Sequence, residues 1–349
     1  MVENIYIGFN RVQRSLLTVA AFVVVVAGMR ASQDILIPFL LSLFIAIIIM
    51  PLLNWMRSKN IPTWAAILII ILAILIVGFL IAVLVGSSLT DFSNALPTYQ
   101  AGLQAKLSEL LTFFEERGFN IVDQSFMEFI DPGAAMRLTS KILTGMGNLL
   151  GDTFLILLVV VFMLLEAATF SQKIEKAIPV NSPEMDRLNS FFESFNRYMG
   201  IKTWTSLGTG TIATIWLSIW GVDYAFLWGL LTFLFNYIPN IGSIMAAIPP
   251  MLLALVTLGP WSAVAVALGY LAINMIIGSF LEPRLMGKGL GLSTLVVFLS
   301  LLFWGWVLGP VGMILSVPLT MTVKIGLSSF DETQWLSALL DGASSVKKS

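Results

Sequence analysis

Between positions 224 and 323 the chain carries charged side chains only at Glu282, Arg284 and Lys288. Soluble domains carry charge on roughly a quarter of their residues, so a run this long and this poor in charge has to be covered by lipid. Proline and glycine interrupt the same run twice, at Ile238-Pro239-Asn240-Ile241-Gly242 and at Leu308-Gly309-Pro310-Val311-Gly312. Proline removes a backbone donor and clashes with the preceding turn, and hydrocarbon supplies no water for the freed carbonyl. The backbone at each break must therefore be satisfied by packed protein or by the wall of a cavity, and paired broken helices are a pointer to a transport site.

The whole chain shares this character, with 58% hydrophobic and 11% charged residues. The expected fold is all-α: a polytopic inner-membrane helical bundle, with broken or re-entrant Pro/Gly helices in its C-terminal half and an amphipathic extramembrane helical segment. Cysteine and histidine are both absent. That excludes disulfides, thiolate and imidazole metal ligands, and Ser-His or Cys-His catalytic pairs, and no cofactor is expected. A net charge of -1 gives no reason to expect nucleic acid or a polyanionic partner. With no H-E-x-x-H, G-x-S-x-G or G-x-x-x-x-G-K-S/T pattern, a membrane enzyme is disfavoured and an ATP-driven pump would need a partner.

In chain order, the first span covers 16–29, the second 35–53 and the third 64–86, together forming an N-terminal transmembrane region 1–86. The N-terminus has no signal-peptide cleavage site, so the first span is expected to be retained as an anchor. Residues 87–151 are the longest polar insertion, where Leu103, Leu107, Leu110, Leu111 and Phe114 recur at helical spacing among charges. Such a helix could lie on the bilayer, pack on a neighbouring subunit or pack on its own chain. A fourth span occupies 152–170, a cytoplasmic helical linker 171–203, and a C-terminal core with broken helices 204–329, followed by a tail at 330–349. Within that core a fifth span covers 204–221, and the elements 224–238, 241–259 and 261–281 fit the uncharged run that follows. The last apolar run, 292–328, would reach about 55 Å as one helix, nearly twice the hydrocarbon thickness, so it must fold back or break at Gly309-Pro310.

Placing the N-terminus in the cytoplasm puts 14 of the 19 Lys and Arg residues inside, which sets the expected orientation with both termini cytoplasmic. Ten segments would put Arg284 inside, whereas eight full spans with two kinked ones would put it outside. In the ten-segment arrangement the helices that start at the two breaks point in opposite directions, an inverted pair. Helix N-termini exposed there suit an anion or polarised oxygen, and unwound carbonyls suit a cation or a hydroxyl donor.

These considerations nominate a pathway for substrate and ion. Asn236, Tyr237, Asn240 and Ser243 flank the first break as neutral hydrogen-bonding groups, with helix capping and interhelical bonding as their alternative role. Pro239 and Gly242 form that break; Pro310 and Gly312 form the second, beside Trp304, which is either a packing aromatic or a gate. Asn274 and Glu282 fall on roughly one helix face. Glu282, a carboxylate ending an uncharged span, is the strongest candidate for carrying protons, its alternative roles being a structural ion pair with Arg284 or an interfacial carboxylate. Glu166 and Asp223, at predicted membrane edges, are secondary candidates.

The segments Phe235-Asn236-Tyr237-Ile238-Pro239-Asn240-Ile241-Gly242, Glu282-Pro283-Arg284-Leu285-Met286-Gly287 and Phe303-Trp304-Gly305-Trp306, with Gly309-Pro310-Val311-Gly312 and Val317-Pro318-Leu319, resemble the autoinducer-2 exporter family of bacterial membrane proteins. That resemblance implies about eight transmembrane helices, a homo-oligomer with a pentamer among the options, and export of small solutes including the furanone signal of quorum sensing. Some relatives resemble sodium or lithium/proton antiporters. The leading expectation is thus a secondary exporter of a small polar solute such as autoinducer-2, with H⁺ or Na⁺ as coupling ion and membrane lipid as surroundings. The alternatives are a Na⁺(Li⁺)/H⁺ antiporter, which needs a second buried carboxylate, and a non-transporting oligomeric scaffold or pore.

Overall fold

The computed structural model describes residues 11–117, 153–177, 183–239, 241–286, 292–328, 333–340 and 342, and every described element is helical. Helices α1 (Arg11–Ala31) and α2 (Gln33–Ser58) are joined through Ser32, and α3 follows as Thr63–Glu115. Then come α4 (Thr153–Ala177) and α5 (Pro183–Ile219). Helix α6 (Ala225–Phe235) precedes α7 (Gly242–Thr257), and α8 (Pro260–Ile273) passes into a π-helical stretch, Asn274–Leu281, and a last turn, Glu282–Met286. The chain closes with α9 (Thr294–Ser328) and α10 (Gln334–Leu340).

Among the described residues four helical stretches are long and apolar enough to cross a bilayer: Gln33–Ser58, Thr63–Lys106, Pro260–Met286 and Thr294–Ser328. Four shorter apolar helices join them, Leu16–Ala31, Thr153–Glu166, Ala225–Phe235 and Gly242–Thr257, as expected of a polytopic helical membrane protein. The outward faces are apolar too: Leu68, Leu72, Ile76, Phe79 and Val83 of α3 are all exposed. Chain without charge on such a face is solvated by lipid, not water.

Two boundaries drawn from composition are not breaks. Helix α3 runs through 86–87 without interruption for 53 residues, about 80 Å, although Pro97 lies within it. Past Gly86 it stays helical because one face keeps a buried apolar stripe, Phe92, Tyr99 and Leu103, packed in its own chain with Leu227, Trp228 and Leu253 of α6 and α7. Of the expected amphipathic segment, the remainder from 118 to 151 lies outside the described residues. Likewise α5 runs through 203–204, so the linker from 183 onward and the fifth span up to Ile219 are one helix of 37 residues.

The core is divided. Ala46 and Leu53 of α2, Ile67 and Ile70 of α3, and Ile156 and Val160 of α4 form one packed group. A larger group joins the distal half of α3 to α5, α6, α7 and α8. The first break lets α6 and α7 pack along each other although only 236–241 separate them, so the chain reverses there. With 11 and 16 residues these limbs reach about 16 and 24 Å, each short of a 30 Å hydrocarbon layer.

The second break also reverses the chain. Gly309 sits at φ 64°, ψ −152°, a backbone conformation that favours glycine. Trp304 Nε1 donates to Thr320 Oγ1 at 3.0 Å, yet 16 residues of straight helix would separate them by about 24 Å. Thus α9 is a hairpin of two limbs, 294–308 and 310–328. Its first limb carries α1, through Phe22 stacked on Phe303 and Val26 packed against Val307 and Leu308.

Candidate functional site

The first break is held by local geometry that follows from its residues. Ile238 N donates to Phe235 O at 2.8 Å and Ile241 N to Pro239 O at 2.7 Å, so short-range turns replace the helical bonds that Pro239 cannot make. A Cβ on Gly242 would overlap the Phe235 carbonyl oxygen, which explains why glycine starts α7. The tip is then pinned sideways to α5: Asn236 Nδ2 donates to Ser206 Oγ and Tyr237 OH to Thr203 Oγ1, both at 2.9 Å.

One residue before Thr203 lies the centre of the site. Lys202 Nζ donates to Glu282 Oε1 at 2.6 Å, and the two side chains are only 6% and 14% exposed. An ion pair this deep among apolar helices is costly to bury and gives a net neutral but strongly polar spot. Glu282 reaches it from the end of the π stretch, where its N–H bonds to Ile277 O, five residues back. Such wide turns occur mostly within α-helices and are frequent at functional sites. Here the wide turn sets Asn274, Gly278 and Glu282, four residues apart, along one wall.

That wall bounds a cavity of about 220 Å³ whose lining also includes Lys202 and Tyr198 of α5, Asn236, Pro239 and Ser243 of the first hairpin, and Ser279. Val297 and Val317, one from each limb of α9, complete it. Asn274 Oδ1 stands over Gly278, where a Cβ would come within 2.8 Å of it. Among the described residues the Asn274 side chain makes no hydrogen bond, so its carboxamide is open to an occupant. The cavity is smaller than the roughly 300 Å³ at which drug-sized pockets begin, and ammonium, carboxylate, amide and hydroxyl groups all face it. A small solute with several oxygens matches both its size and its polarity.

The nominated residues therefore separate. Asn236, Pro239, Ser243, Asn274 and Glu282 converge on the cavity. Tyr237 is turned toward Thr203, Phe44 and Phe233, and Gly242 toward Phe235. Asn240 lies outside the described residues. Arg284 is not the partner of Glu282: its guanidinium stacks 3.6 Å from the centre of the Phe280 ring. Residues two apart on a helix do not face each other, whereas four apart they do.

The second break is elsewhere. Trp304 is buried with Val26, Val307 and Leu308, and a Cβ on Gly312 would overlap the Trp304 carbonyl oxygen; Pro310 is exposed. The two secondary carboxylates are exposed and apart from Glu282. Glu166 borders an apolar cavity of about 430 Å³ between α2, α4, α5 and α9, and Asp223 sits in the turn before α6, its carbonyl accepting from Trp228 Nε1. Sequence reasoning missed Lys202, which looks like one of five cations in a polar segment. Its only signal is its place two residues before an apolar run.

The sequence has relatives among known proteins. Residues 19–330 match the model of the AI-2E family transporter. The AI-2 transport protein TqsA of Escherichia coli K12 is 42% identical over 318 residues, 91% of this chain and 92% of that protein. A putative transport protein of Haemophilus influenzae is 41% identical over 340 residues, 96% of this chain and 98% of its own. The putative transport protein YhhT of E. coli K12 is 36% identical over 327 residues, 93% of each.

Proposed function

This chain belongs to the AI-2E transporter family, and from that premise we propose that it is a secondary exporter of a small polar solute, working in the bacterial inner membrane with both termini in the cytoplasm. The observation that carries the reading is the polar cavity at the tip of the first hairpin, with its buried Lys202–Glu282 pair inside an otherwise apolar core. The solute class follows from the chemistry of the lining and from the likeness to TqsA, an AI-2 transport protein. Autoinducer-2, small and rich in oxygen, is the solute to test first.

Access alternates around the cavity. Val297 and Val317 are 12 and 8 residues from Gly309, so the first hairpin's tip meets the second hairpin about 18 and 12 Å from its own tip. That offset supports two hairpins inserted from opposite sides, with the solute between them. An ion gradient supplies the energy, and Glu282 with Lys202 is the charged element it acts on. In a strain lacking this protein, extracellular autoinducer-2 falls and the intracellular pool rises. Unchanged pools would remove that solute from the proposal.

A further inference from the structure

The cavity is equipped for a cation and already contains one. Glu282 contributes a carboxylate, Asn274 an unengaged carboxamide oxygen, and Tyr198, Ser243 and Ser279 hydroxyl oxygens around the same space. These are hard oxygen donors of the kind that hold alkali ions, and a single carboxylate balances a single positive charge. Yet the Lys202 ammonium stands at 2.6 Å from Glu282 Oε1, on a side chain 94% removed from solvent. A tethered ammonium competes at a very high effective concentration and loses no translational freedom on binding. Dissolved sodium has neither advantage.

We infer that Lys202 is the resident cation of the Glu282 site, filling the place a coupling Na⁺ or Li⁺ would take, so that the protein needs no alkali ion and loss of the lysine opens a site for a small monovalent cation. The inference deepens the transport reading, and only its second test rests on that reading. Arg284 cannot substitute, because its guanidinium is held on Phe280.

The first test uses the purified full-length protein in detergent and needs no transported solute. Thermal unfolding is followed with Na⁺, Li⁺ or ethylammonium, against N-methyl-D-glucamine as a cation too bulky to enter. Wild type has one Tm in all four. Lys202→Ala melts lower and recovers a few degrees, saturably, with Na⁺, Li⁺ or ethylammonium, because a ligand bound only to the folded state raises stability. Lys202→Ala/Glu282→Gln does not respond. A saturable Na⁺ or Li⁺ shift in wild type that Glu282→Gln removes would overturn the inference, as would a folded Lys202→Ala that ignores every cation. If Lys202→Ala is recovered folded only when solubilised with ethylammonium or alkali ion, the inference holds; if no cation recovers it while the double variant folds, it fails.

The second test is solute flux in proteoliposomes. Replacing Na⁺ with N-methyl-D-glucamine changes the wild-type rate by less than about twofold, and Lys202→Ala transports only with a small cation present. A wild-type requirement for Na⁺ would refute the role of Lys202. Absence of any wild-type flux would instead count against the exporter reading and leave the unfolding result standing.

Discussion

The two hairpins solve one backbone problem in the same way and then serve different surroundings. In each, a glycine just past the proline sits against a carbonyl of the preceding limb, Gly242 on Phe235 and Gly312 on Trp304. Around the first stand Lys202, Glu282, Asn274 and Asn236; around the second stand Val26, Val307 and Leu308, with the Trp304–Thr320 hydrogen bond buried among them. Proline and glycine thus report how the chain turns. The charge comes from side chains delivered by other helices, Lys202 and Glu282, which join Asn236 and Ser243 of the hairpin itself.

That contrast can be broken by substitution. The largest effect is expected at the ion pair: Glu282→Gln or Lys202→Met alone leaves a buried charge without a partner and should cost about 3–5 kcal/mol, while the double replacement recovers most of the loss. Denaturation of the three variants in detergent checks this, and additive losses would mean the pair is not coupled. Next come Gly242→Ala and Gly312→Ala, each forcing a methyl into a carbonyl at about 1–3 kcal/mol. Similar losses are expected for both, so a tolerant position at either would end the equivalence of the two turns.

Trp304→Phe keeps the ring and removes the bond to Thr320, with an expected loss of about 1 kcal/mol. Flux per folded molecule that drops further than this would bring the second hairpin into the pathway. The smallest change in folding, within about 0.5 kcal/mol, is expected for Asn274→Ala, since that side chain holds no partner among the described residues. Its flux should nonetheless fall, and an unchanged solute KM would take Asn274 out of the site.

What could be read in advance was whatever is local. Apolar runs, the two breaks and the fold-back of α9 follow from hydropathy and from residues adjacent in sequence. Even the face shared by Asn274 and Glu282 was legible, though the π stretch that sharpens it was not, because no residue type there demands five-residue bonds. Lys202 escaped because its partner is 80 residues away and its helix continues unbroken from a polar segment into an apolar one. Arg284 attracted attention by proximity in sequence, which on a helix is the wrong measure at a separation of two. The length of α3 was hidden for a related reason: composition changes at Gly86, but a buried stripe on one face is enough to keep the chain helical past it.

That continuity has a mechanical consequence. Near its start α3 is embedded with α2 and α4 through Ala66, Ile67 and Ile70, and some twenty-five residues later it is embedded with α6 and α7 through Phe92, Tyr99 and Leu103. A stiff rod clamped at both ends forces its two anchors to lean together unless it bends, and Pro97, lacking one rung of the ladder, is the weakest place within the second clamp.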